Sequence, residues 1–177
     1  WVVKSQIHAG GRGAGYFINP FNKKGGVQVV NEKSDVISIA SSMMGNTLIT
    51  KQTGNKGKKV NRIFIEEGCH IEREFYLSIL VDRNTSQLMM MISDSGGIDI
   101  ESVAEKNPEK IHNVFFDNLE NVFLPQSLEK KLNISAQQFI ELNSISIKLV
   151  KVFKKIDATT IEINPLVLNK DGHFVLL

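Results

Sequence analysis

Three apolar runs in close order, residues 61–67, 74–82 and 87–92, constrain the fold more than any other feature of this chain. Each has the length and the Ile, Phe, Leu, Val or Met content of a strand. The second and third are joined only by Arg83-Asn84-Thr85-Ser86, a turn composition, so they are expected to form an antiparallel hairpin. Near the end, residues 159–168, the tight turn Asn169-Lys170-Asp171-Gly172 and residues 173–177 read as a second hairpin. Between the hairpins, residues 135–156 form the clearest helix. Ser135 and Gln138 fit a capping box, and Phe139, Leu142, Ile145, Leu149, Val152 and Phe153 lie close to a 3.6-residue period. Earlier, residues 1–7, 27–30 and 47–50 read as strands. A long loop, 8–26, carries Phe17, Pro20 and Phe21. A helix capped by Ser34 or Asp35 runs to Met44 and is stopped by Gly45. Short helices are expected at 100–106 and 108–112, the latter opened by Pro108. The fold class is α+β, with mixed, mostly antiparallel sheets flanked by helices.

At 177 residues the chain is long enough for one good core or two small lobes, with a possible division into 1–60 and 61–177. Met89-Met90-Met91 reads as sheet core. A net charge of +2 implies no general affinity for polyanions, so no nucleic-acid partner is expected. The single cysteine, Cys69, excludes an internal disulfide framework and points to a reducing compartment. No apolar run reaches the roughly 18 residues that span a membrane. The chain begins and ends inside strand-like segments, and on that ground it is expected to be a piece of a longer protein.

Lys4 leaves the first strand just before Gly10-Gly11-Arg12-Gly13. Glycines let backbone approach a ligand closely, and successive N–H groups can turn toward an anion. Lys4 and Arg12 add two positive charges. The run has neither the Gly-x-x-x-x-Gly-Lys-Ser/Thr nor the Gly-x-Gly-x-x-Gly pattern. The residues alone therefore leave open a phosphate site and a plain glycine turn with solvated charges. Lys51, Lys56, Lys58 and Lys59 read as a solvated loop. Glu66, Glu67, Glu72 and Glu74 cluster around one strand end; they suit ribose or amino-group contacts, and they suit a charged surface equally. Glu162 and Asn164 stand two apart on one strand face, offering hard oxygen ligands of the kind Mg²⁺ takes. Pro165 argues for a specialised site or an edge strand. His8 sits beside the glycine run, while His70, His112 and His173 have no metal-ligand spacing.

Four stretches together resemble the β subunit of succinyl-CoA synthetase (succinate–CoA ligase, ADP- or GDP-forming), an ATP-grasp enzyme. They are residues 1–13, residues 60–66 with Glu74-Phe75-Tyr76, Gly96-Gly97-Ile98-Asp99-Ile100-Glu101 with Val103-Ala104, and Ile161-Glu162-Ile163-Asn164-Pro165-Leu166. Their order and spacing fit along the whole chain. The resemblance covers only part of such a subunit: it leaves out about forty residues before Trp1, a metal-binding aspartate just after Leu177, and a CoA-ligase domain. It implies an ATP-grasp fold over 1–177. It implies that Lys4, Gly11, Arg12 and Gly13 contact the triphosphate of ATP or GTP, and that Glu66 contacts the base or hinge. Cys69, a departure from the usual residue, would contact nucleotide through its backbone. Glu74 would hold the ribose, Asn164 would be one Mg²⁺ ligand, and Glu162 would steady the phosphohistidine loop of a partner α subunit, in a heterodimer or heterotetramer. The implied reaction of the whole ligase, a step of the tricarboxylic acid cycle, is succinyl-CoA + phosphate + NDP to succinate + CoA + NTP. The isolated chain is expected to be inactive. The close alternatives are the ATP-grasp region of a malate–CoA ligase or of ATP-citrate lyase, or a non-catalytic nucleotide-binding or subunit-contact module. The insertion 14–24 resembles mitochondrial forms, which implies the mitochondrial matrix for a eukaryotic source and the cytoplasm otherwise.

Overall fold

The computed structural model describes residues 1–19, 25–117 and 122–177. Pro20, Phe21 and the end of the insertion 14–24 lie outside them. The chain forms two compact units, Trp1–Cys69 and His70–Leu177.

In the first unit β1 (Val2–Ser5), β2 (Tyr16–Phe17), β3 (Val27–Val29), α1 (Lys33–Met43), β4 (Thr47–Ile49), β5 (Lys58–Lys59) and β6 (Ile63–Glu66) follow in order. They make two three-stranded antiparallel sheets, ordered β3-β1-β6 and β2-β4-β5. Val3, Phe17, Val36, Met43, Leu48 and Val60 fill the core, and alternation along β1 turns Val3 and Ser5 inward. β6 pairs with β1, which is why the unit extends past residue 60, the division suggested by the sequence. α1 begins two to three residues earlier than expected: Glu32 is its N-cap, with no side-chain cap bond, so Ser34 and Asp35 lie in the first turn. Short strands β2 and β5 interrupt the two segments read as loops. Lys51, Lys56, Lys58 and Lys59 are all exposed.

The second unit contains β7 (Ile71–Val81), β8 (Leu88–Ser93), α2 (Ile100–Lys106), β9 (Ile111–Phe116), α3 (Ser127–Lys131), α4 (Ala136–Lys155), β10 (Thr160–Asn169) and β11 (Phe174–Leu176). Its five strands run antiparallel in the order β11-β10-β7-β8-β9. Pro108 opens only a single 3₁₀ turn, Pro108–Lys110, before the chain extends into β9; the helix expected at 108–112 does not form. α4 carries the expected capping box. Ser135 N donates to Gln138 Oε1 at 2.9 Å, and Gln138 N donates to Ser135 Oγ at 3.2 Å. Its buried stripe of Phe139, Leu142, Ser146, Val150 and Phe153 shares one core with Phe75, Leu77 and Ile79 of β7 and with Met90 and Ile92 of β8. Because successive strand residues face opposite ways, Glu74, Tyr76 and Ser78 line the other face of β7. Arg73 fastens the end of α3 to the sheet: its guanidinium donates to the Leu132 and Asn133 carbonyls, both at 2.7 Å, and lies 4.6 Å from the Phe75 ring centre.

Candidate functional site

The sequence-predicted residues fall into two groups, one in each unit. In the first, β1 and β6 run antiparallel with Val2 opposite Glu66 and Lys4 opposite Phe64. That register sets Lys4 and Glu66 diagonally on the same sheet face, within reach of long side chains. Their ammonium and carboxylate form an ion pair, with side chains only 14% and 19% exposed. The glycine run folds back over the end of β1. Arg12 Nη1 donates to the Ser5 carbonyl at 2.9 Å, and the Arg12 carbonyl accepts from Gly26 N at 2.8 Å and Gly15 N at 3.2 Å. Gly11 has φ +68°, in the left-handed region that favours glycine. A Cβ on Gly25 would lie 2.1 Å from the Gly13 carbonyl oxygen, so backbone packs on backbone there. Among the described residues, the Gly11 and Gly13 amides donate to no protein acceptor. Two free N–H groups beside the Arg12 side chain suit an anion. Cys69 is a partly exposed free thiol and His8 is exposed.

In the second unit, β10 departs from its ladder with β7 after Ile163. Ile163 faces Leu77 and Leu166 faces Phe75, so Asn164 and Pro165 share the space opposite Tyr76 in a bulge. Pro165 is accommodated there and not at a sheet edge: β10 lies between β7 and β11. Asn164 is exposed, and its amide is engaged with the loop after β8. Its Oδ1 accepts from Gly97 N at 2.7 Å, and its Nδ2 donates to the Ile98 carbonyl at 3.0 Å. That loop lies directly on β7. Gly96 N donates to the Glu74 carbonyl at 3.0 Å, and a Cβ on Gly97 would lie 2.5 Å from Glu74 Oε2. Glu74 is half-buried beneath it, while Glu162 is exposed.

Asp99 and Glu101 form a second acidic group that the sequence reading assigned no chemistry. A side-chain hydrogen bond with Asp99 is the chief cause holding the Glu101 carboxyl above the usual carboxylate range; the like charges of Asp99 and Glu162 add to it. Burial pushes the Tyr76 phenol up, and the negative charges of Glu162 and Glu101 add to it. Asn164 Oδ1 and the Ile98 carbonyl beside it are hard oxygens. They fit a cation such as Mg²⁺ that takes few protein ligands and completes its shell with phosphate and water. Among the described residues, no three His, Cys, Asp or Glu side chains gather as a metal cage. A separate surface cavity of about 500 Å³ is lined by Asp94, Glu109, Lys110, Ile111, His112 and Lys131, and includes none of the predicted site residues.

The chain matches the ATP-grasp domain family over residues 1–168. It is 45% identical over 179 residues to the β subunit of the ADP-forming succinate–CoA ligase of Acidiphilium cryptum (strain JF-5). It is 47% identical over 183 residues to the corresponding subunit of Hyphomonas neptunium (strain ATCC 15444). Both alignments take in 100% of this chain and 45% of the relative, so the chain spans less than half the length of these proteins. Among solved structures, the ATP citrate lyase of Methanothrix soehngenii, in complex with citrate and coenzyme A, is similar with a TM-score of 0.68. At 17% identity, over 99% of this chain and 36% of that one, the likeness concerns the fold alone.

Proposed function

We propose that this chain, which belongs to the ATP-grasp domain family, is the nucleotide-binding part of a succinate–CoA ligase β subunit. The observation that carries the reading is its likeness, 45–47% identical along its whole length, to β subunits of ADP-forming enzymes. The names of those relatives favour ADP and ATP as the nucleotide, with GDP and GTP as the pair to test against them.

In this reading the first unit contributes phosphate contacts. Lys4 and Arg12 supply charge, the Gly11 and Gly13 amides supply donors, Glu66 reaches the base or hinge, and the Cys69 backbone lies alongside. Glu74 is read as the contact for the ribose hydroxyls and Asn164 as a ligand for Mg²⁺. Bound there, Mg²⁺ would neutralise phosphate charge. Phosphoryl transfer is catalysed mainly by positioning and by such neutralisation. The phosphohistidine belongs to a partner α subunit, whose loop Glu162 steadies. The whole ligase then interconverts succinyl-CoA, phosphate and NDP with succinate, CoA and NTP. The fold likeness to ATP citrate lyase favours a second reading, the ATP-grasp region of a related acyl-CoA ligase. In a bacterium like those of the relatives the compartment is the cytoplasm; a eukaryotic source would make it the mitochondrial matrix.

Equilibrium dialysis against ATP and GTP, each with and without Mg²⁺, tests the reading. It expects saturable ATP binding that strengthens with Mg²⁺. No retention of either nucleotide would overturn it.

A further inference from the structure

We propose that Glu66 sets the specificity of the phosphate site by acting as an internal competitor for Lys4, so that a polyphosphate lacking a nucleoside is rejected. The inference rests on the reading that Lys4 is a phosphate contact and Glu66 a base contact. The β1–β6 register brings the two side chains together on one sheet face, and both are largely sheltered from water. Glu66 Oε1 is buried and, among the described residues, has no hydrogen-bond partner apart from the Lys4 ammonium that it meets. The Lys4 charge is therefore already neutralised before any anion arrives. By contrast, among the described residues the Gly11 and Gly13 amides donate to no protein acceptor, and the Arg12 guanidinium donates to the neutral Ser5 carbonyl.

An incoming phosphate can recruit Lys4 only by separating it from Glu66, which would leave a sheltered carboxylate without a counter-charge. Uncovering such a group is costly. A nucleoside triphosphate offsets that cost, because its base gives the released carboxylate a donor. Inorganic tripolyphosphate carries the same anionic chain and offers no such donor. Glu66 thus raises the threshold for phosphate alone and lowers it for a phosphate attached to a base. Coupling the phosphate-binding lysine to the base-contacting carboxylate makes each contact conditional on the other.

The experiment is calorimetric titration of the chain, as wild type, Glu66→Gln and Lys4→Ala, with inorganic tripolyphosphate and separately with ATP. Glu66→Gln should bind tripolyphosphate about fivefold more tightly than wild type, the scale of one released ion pair. Its preference for ATP over tripolyphosphate should fall by at least as much. Unchanged or weaker tripolyphosphate binding by Glu66→Gln overturns the inference. Lys4→Ala separates the two levels: if its affinity for both ligands equals that of wild type, the phosphate-site reading itself has failed. If Glu66→Gln does not fold, ¹⁵N-lysine NMR of the wild type keeps the test open. The Lys4 ammonium signal should move on addition of ATP at concentrations where tripolyphosphate leaves it in place, and equal movement with both ligands contradicts the inference.

Discussion

The Asn164 side chain and the Gly97 backbone are locked together: Oδ1 accepts the Gly97 N–H at 2.7 Å while Nδ2 of the same amide donates to Ile98 O at 3.0 Å. The amide bridges a bulge in β10 to the loop that covers Glu74. A residue proposed to hold Mg²⁺ therefore also fixes the backbone against the carboxylate proposed to hold the ribose.

Gly97→Ala tests that linkage. The position has φ +71°, and the new methyl would press on the Glu74 carboxylate. The backbone change alone should cost roughly 1–2 kcal/mol in thermal or denaturant unfolding. The preference for ATP over 2′-deoxy-ATP should fall as Glu74 is displaced. Asn164→Asp keeps an acceptor for Gly97 N–H but sets a carboxylate oxygen against the Ile98 carbonyl, so it should destabilise the loop while retaining an oxygen ligand. Hydrogen exchange at the Gly97 amide reads this directly, and exchange as slow as in wild type would count against the clasp.

The histidine of β9 gives a pH dependence with a definite sign. Burial first, and then the Lys131 charge, push the His112 imidazole below the ordinary histidine range, against a weaker upward pull from Asp94. Above about pH 6.5 the folded and unfolded chains both carry it neutral. As pH falls through that range the unfolded chain takes the proton first, so stability is lost toward acid. The drop in melting temperature between about pH 7.5 and about pH 5.5 should be smaller in His112→Gln than in wild type. An identical drop in both would mean that His112 is not held neutral by the fold.

Two positions on α4 separate packing from surface. Leu142 is 1% exposed inside the larger core, while Ile140 is 61% exposed on the same helix. Leu142→Ala should cost about 2–5 kcal/mol in urea unfolding. Ile140→Ala should stay within about 0.5 kcal/mol of wild type.

What the sequence made legible was local. Ser135 and Gln138 announced the start of α4 because a capping box is a four-residue pattern. Arg83-Asn84-Thr85-Ser86 announced the β7–β8 hairpin for the same reason. β9 was hidden because Pro108 is as suited to a 3₁₀ turn as to a helix start; the alternation that buries Val114 and Phe116 is its only trace. α3 spans five residues, too few to show a period. The α+β class and the ATP-grasp fold were readable from the order of whole motifs. The contacts among site residues were not. Lys4 meets Glu66 only through the β1–β6 register, and Asn164 meets Gly97 only through the bulge opposite Tyr76. Spacing along one strand reaches neither.

The central claim is that Lys4 and its glycine loop hold the phosphates of a nucleotide. The most direct measurement is calorimetric titration of wild type and Lys4→Ala with ATP in the presence of Mg²⁺. The account predicts saturable binding by wild type and a loss of about 1–3 kcal/mol in the variant, the scale of one charge-assisted contact. Equal affinity in the two proteins, with both folded, would contradict it.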